Sequence, residues 1–115
     1  MIPGLKARRV EPDIDVVEII GTLNLGDNLR MIESDLRRRI REGSRKLILD
    51  VSQLRYSDSA GLGMIIVING EIEQVGGQLR IAGATGVLAK SFSSSHLDRV
   101  LLMYEDVESA CKAAQ

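Results

Sequence analysis

Strand-length apolar runs that alternate with helical repeats predict a small mixed α/β fold, a sheet of four to five strands with about four helices packed against it. Three observations carry this expectation. Lys46-Leu47-Ile48-Leu49-Asp50-Val51 is almost continuously apolar, as a central strand covered on both faces requires. Leu25, Leu29, Ile32, Leu36 and Ile40 recur every three or four positions and stop at Gly43, the spacing of one apolar helix face. Two strands come first and helices then alternate with strands, so the later strands run parallel through helical crossovers.

Taken in order, Ile14 to Ile20 is β-branched and partly alternating and ends at Gly21; Leu5 to Val10 pairs with it as an edge strand across a Glu11-Pro12-Asp13 turn. The helix over Leu25 to Ile40 follows. Its outer face is charged, and Arg37, Arg38, Arg39 and Arg41 gather where positive charge complements the helix dipole. After the central strand, residues 52–57 form a polar loop, and Leu62, Ile65, Ile66, Ile68, Ile72 and Val75 mark a second helix closed by Gly76-Gly77. Gln78 to Gly83 is another strand. Thr85 or Gly86 caps a helix through Val87, Leu88 and Phe92, which Ser93-Ser94-Ser95-His96 breaks; Ser91 to Ser95 reads as a loop. Val100 to Met103 is a last strand, and Asp106 to Ala114 is a closing helix with Val107, Ala110, Cys111 and Ala114 inward.

The 115 residues suit a single domain over 1–115. Fifteen basic and sixteen acidic residues nearly cancel, so nothing global points to nucleic acid or an anionic membrane. A lone cysteine, Cys111, and a lone histidine, His96, leave no internal disulfide and no zinc set; no metal or cofactor is expected. No signal-like or bilayer-length apolar run occurs, so a cytoplasmic protein without membrane insertion is expected. Three aromatic side chains make an aliphatic core and give no stacking platform for bases.

Chemistry concentrates in Tyr56-Ser57-Asp58-Ser59-Ala60-Gly61-Leu62-Gly63, where a polar loop meets an apolar helix. Asp58 and Ser59 are both good N-cap residues, which places a serine at the positive end of a helix, where an anion is favoured. A hydrolase would need Ser59 as nucleophile, His96 as base and Asp58 or Asp98 as orienter, but Ser57 stands where a nucleophile elbow has its first glycine. Adjacent Asp58 would also repel an oxyanion. Gly61-Leu62-Gly63 and Gly83-Ala84-Thr85-Gly86 match no complete phosphate-binding fingerprint. Glycines 61 and 63 fall inside the helix and read instead as positions of close approach by a strand or a partner.

Asp58-Ser59-Ala60-Gly61-Leu62-Gly63 after the strand Leu47 to Val51 resembles the signature of STAS domains, specifically the bacterial anti-sigma factor antagonists. Gly21-Thr22-Leu23-Asn24 is similar to that family's turn after the second strand, and Gly76-Gly77-Gln78-Leu79 to the gap before its fourth. The resemblance implies a non-enzymatic switch with Ser59 as phosphoacceptor. It also implies an anti-sigma factor serine kinase and a metal-dependent serine phosphatase as partners, with capture of the anti-sigma factor by the unphosphorylated form only. The implied docking set is Asn24, Ser57, Asp58, Ser59, Ala60, Gly61, Leu62, Gly63 and Met64, with Met64 and the Ile-rich helix compatible with a monomer or weak dimer. Two positions depart from the family pattern: Asn24 stands where aspartate is frequent, and Ala60 where Ser or Thr is, which leaves Ser59 as the matching acceptor ahead of Ser57. STAS domains also serve as stressosome scaffold subunits and as subunits of lipid-transporting ABC systems, so a constitutive adaptor is the alternative the resemblance implies.

Overall fold

The computed structural model describes residues 2–115. Strands β1 (Leu5–Val10), β2 (Ile14–Ile19), β4 (Lys46–Asp50), β6 (Gln78–Ala82) and β7 (Leu102–Tyr104) form a sheet in the order β1-β2-β4-β6-β7. The β1–β2 hairpin is antiparallel and the remaining pairings are parallel, with Val16 beside Ile48 and Ile48 beside Arg80. A separate parallel pair, β3 (Gly21–Leu23) with β5 (Leu54–Ser57), occupies the stretches expected to be turn and loop. Both segments are too short to show a period; Gly21, at φ 95°, redirects the chain out of β2, and its N–H donates to the Gln53 carbonyl.

Helices α1 (Asp27–Arg41), α2 (Ser59–Gln74) and α3 (Gly86–Ser94) cover one face of the main sheet, and α4 (Val107–Ala114) the other. Alternation along each strand sorts the core. Val17, Leu47, Leu49, Leu79 and Ile81 meet Leu36, Ile65, Ile68, Ile72 and Phe92 on the larger face, while Ile14, Val16, Ile48 and Ala82 meet Ala110, Cys111 and Ala114 on the smaller. Ile65, Ile68 and Ile72 are fully buried, and each is worth about 1.5–3 kcal/mol relative to an exposed position.

Four expectations are corrected. Leu25 lies outside α1 and is 72% exposed, because the helix starts only after Gly26 and the Leu25 amide is held elsewhere. Val75 is the C-cap of α2 and is exposed rather than inward. The serine-rich patch is helical up to Ser94, since Ser91 Oγ donates to the Val87 carbonyl and Ser94 Oγ to that of Lys90, which keeps both hydroxyls within the helix. Val100 is exposed and precedes β7, reached through a 3-10 turn at Leu97–Arg99 after the left-handed His96.

Candidate functional site

The C-terminal ends of the parallel strands carry the loops that lead into α2 and α3, the usual place for a binding site on such a sheet. Asp58 organises this end. Its Oδ1 accepts from the Gly61 amide at 2.8 Å, capping α2, and its Oδ2 accepts from the Leu25 amide, also at 2.8 Å. Its own N–H donates to the Leu23 carbonyl at 3.0 Å. One carboxylate thus ties the 22–26 loop to the helix start. The backbone N–H groups of Leu25 and then Gly61 stabilise the charged form and hold the Asp58 pKa below the usual carboxylate value. The cap role was legible from residue type; the Leu25 bond, across 33 positions, had no local signal.

With Asp58 as cap, Ser59 becomes the first helical residue rather than the cap itself. It is exposed, and among the described residues its hydroxyl makes no side-chain hydrogen bond. Ala60 beside it is partly exposed. Asn24 is exposed on the loop that Asp58 holds, with its Nδ2 donating to Thr22 Oγ1 at 3.2 Å. Gly63, one turn on from Ser59, is exposed and a Cβ there would meet nothing within 4 Å. These residues form one accessible patch with Asp58.

The rest of the expected docking set lies beneath that patch. Ser57 is buried and its Oγ donates to the Asp58 carbonyl at 3.0 Å. Gly61 is buried because a Cβ there would stand 2.8 Å from the Leu23 carbonyl oxygen and would collide with Ser57 Oγ. This is the close approach by a strand that the glycine pattern suggested. Leu62 belongs to the core, and so does Met64, at 4% exposure; Met64 therefore presents no apolar surface to a partner or a second copy. The reason is that α2 is apolar nearly all round, so residue type alone did not distinguish its inward from its outward side.

Sequence reasoning missed the outward apolar residues. Val67 is 42% exposed on α2, and Leu25, Tyr56 and Val87 are exposed on the loop, strand and helix that come to this end of the sheet. Single apolar residues give no sequence signal when they lie on four different elements. His96 follows the far end of α3, and no hydrogen bond joins it or Asp98 to the Ser59 hydroxyl among the described residues.

The STAS domain model matches residues 6–110. The candidate anti-sigma factor antagonist BtrV of Bordetella bronchiseptica is 33% identical over 52 residues, a stretch that covers 45% of this chain and 45% of BtrV, so the match spans less than half of that relative. An anti-sigma factor antagonist candidate of Thermotoga maritima has the same fold with a TM-score of 0.84 at 22% identity, over 96% of this chain and 93% of its own. The Bacillus cell fate determinant SpoIIAA in its phosphorylated form superposes with a TM-score of 0.76 at 21% identity, covering 96% and 99%. Unphosphorylated SpoIIAA gives 0.73 at 19%, covering 95% and 94%. With the matched residues running from β1 into α4, and with the sheet, helices and Asp58-Ser59 turn in place, this chain belongs to the STAS domain family.

Proposed function

We propose that this domain is a non-enzymatic protein-binding switch, an anti-sigma factor antagonist that docks an anti-sigma factor through the Ser59 turn and the outward side of α2. The anti-sigma factor doubles as a serine kinase, phosphorylation of Ser59 is the off signal, and a metal-dependent serine phosphatase resets it in the cytoplasm. The observation that carries this reading is the Ser59 hydroxyl itself: exposed, without an internal hydrogen bond, and on the first turn of a helix whose cap is already occupied by Asp58. The existence of SpoIIAA in both phosphorylated and unphosphorylated forms on the same fold supports it.

The physics of the switch is local. A phosphoryl group adds about −1.5 to −2 charges and three acceptor oxygens at one surface point. The N-terminus of α2 tolerates that charge, so the fold is retained. Asp58, already ionised and using both oxygens on backbone amides, adds to the negative potential there. A partner surface that had packed on the apolar rim of Leu25, Tyr56 and Val67 must then desolvate a dianion, which costs on the order of a hundredfold in affinity or more.

The test is affinity capture with wild-type and Ser59→Asp baits side by side, with captured proteins and phosphosites read by mass spectrometry. Capture of an ATP-binding anti-sigma kinase by wild type alone is the expected result. Equal capture of the same scaffold or transporter subunits by both baits makes the domain a constitutive adaptor and overturns the switch.

A further inference from the structure

The opposite end of the sheet carries a second, chemically different feature. Arg80 sits in the middle of β6 on the face covered by α4, in register with Ile48 and Leu102, and is only 9% exposed. A buried guanidinium is costly unless its charge and its donors are matched. Nη2 donates to Gln78 Oε1 at 2.9 Å and to the Ala113 carbonyl at 3.3 Å, both neutral acceptors, while Nε is buried with no acceptor at all. Among the described residues no carboxylate pairs with it.

Arg80 lines an open groove of about 450 Å³ together with Arg45, Lys46, Glu73, Gly76 and Gly77. Arg45 is likewise without a carboxylate partner among the described residues; its Nη1 donates to the carbonyls of Ile40 and Ser44. Lys46 reaches Asp13 at 3.1 Å in a half-exposed pair. Arg80 and Arg45 thus face the groove without a carboxylate partner, Lys46 is paired with Asp13, and Glu73 supplies the one lining carboxylate. Gly76, at φ 85°, puts no side chain into the groove, and Gly77 lets the chain pack directly on the Arg45 backbone, where a Cβ would stand 2.6 Å from the Arg45 carbonyl oxygen.

We propose that this groove, at the N-terminal ends of β4 and β6, is a binding site for the phosphoryl group of a small soluble molecule. Two guanidinium groups without carboxylate partners offer the planar forks of N–H donors that suit the oxygens of a phosphoryl group. The volume is that of a small-molecule pocket, larger than a lone ion requires. The site is independent of Ser59, which lies at the other end of the parallel strands.

The experiment is an NMR titration of the isotope-labelled protein with pyrophosphate, following the Arg80 Nε–H and the Gly76 and Gly77 amides, with the Ser59 amide as an internal reference. Saturable shifts at Arg80 and the two glycines are expected, weakened about tenfold or more by Arg80→Met, which keeps the aliphatic stem against α4. Arg45→Met on the exposed rim is the second variant, should the first disturb α4, and is expected to weaken binding in the same way. Shifts that grow linearly without saturation, or a midpoint unchanged in both variants, overturn the site. Binding to vesicles containing phosphatidic acid without any response to pyrophosphate overturns the assignment to a soluble ligand.

Discussion

Helices α1 and α2 lie side by side on the same face of the sheet and bury comparable aliphatic rows, yet their outward sides are opposites. The outer side of α1 is dense with ion pairs: Arg30 with Asp27, Arg37 with Glu33, and Arg38 with both Asp35 and Glu42. Asp35 is nearly buried; burial alone would raise its pKa, but hydrogen bonds and charge from Arg39 and Arg38 outweigh that and hold it lowered. The outer side of α2 instead shows Ser59, Gly63, Val67 and Gly70, small or apolar, with no charge before Glu71. Glycine inside a helix costs about 1 kcal/mol relative to alanine, so a surface built this way is paid for in stability. Of the two helices, α1 is finished towards water with ion pairs, and α2 turns outward the small, apolar side on which the proposed docking rests.

The strongest way to break this contrast is Gly63→Arg, which places a long cation in the open space beside Ser59. Partner affinity is expected to fall on the order of a hundredfold, about 2.7 kcal/mol, with thermal stability retained or slightly raised because arginine is a better helix former than glycine. Titration calorimetry against the protein that the wild-type bait captures checks it, and unchanged affinity would move the docking face away from α2. Next in size is Gly61→Ala, which drives a Cβ into the Leu23 carbonyl and Ser57; it is expected to destabilise the fold by about 1–3 kcal/mol, read from the urea midpoint. An unaltered midpoint would mean the turn has slack that the tight packing does not suggest.

Asp58→Asn sharpens the comparison through pH. The folded-state pKa of Asp58 is lowered, so its carboxylate contributes stability above the unfolded pKa and loses it as pH falls through the folded one. The stability gap between wild type and variant should be full near neutral pH and close as pH falls below the unfolded carboxylate value of about 4. Urea melts of both proteins at several pH values test this, and a gap independent of pH would mean the capping interaction does not depend on ionisation. The smallest effect is expected from Arg37→Ala on α1. Its pairs with Glu33 and Glu71 are partly exposed, so the loss should stay within about 1 kcal/mol and partner affinity should not change.

The contrast also shows what was legible in the sequence. The α1 stripe, the β4 run and the hairpin were readable because each repeats a period over several residues, and the Asp58-Ser59 turn because cap residues have a local preference. Strands β3 and β5 were not, being three and four residues long and stabilised by each other. Met64 and Val67 illustrate the same limit at the site: in the apolar first half of α2, residue type does not tell inside from outside.

By itself, then, the sequence determined the order of the main-sheet strands and the four helices, the central strand, the capping aspartate and the serine that follows it, since these depend on neighbours within a few positions. Tertiary structure alone decided which side of α2 faces outward, that Asp58 also grips the Leu25 amide, and that Arg80 lies under α4 with an unmatched donor. Those features depend on contacts between segments roughly thirty positions apart, such as Leu25 with Asp58 and Arg80 with Ala113, and such contacts leave no mark on local pattern.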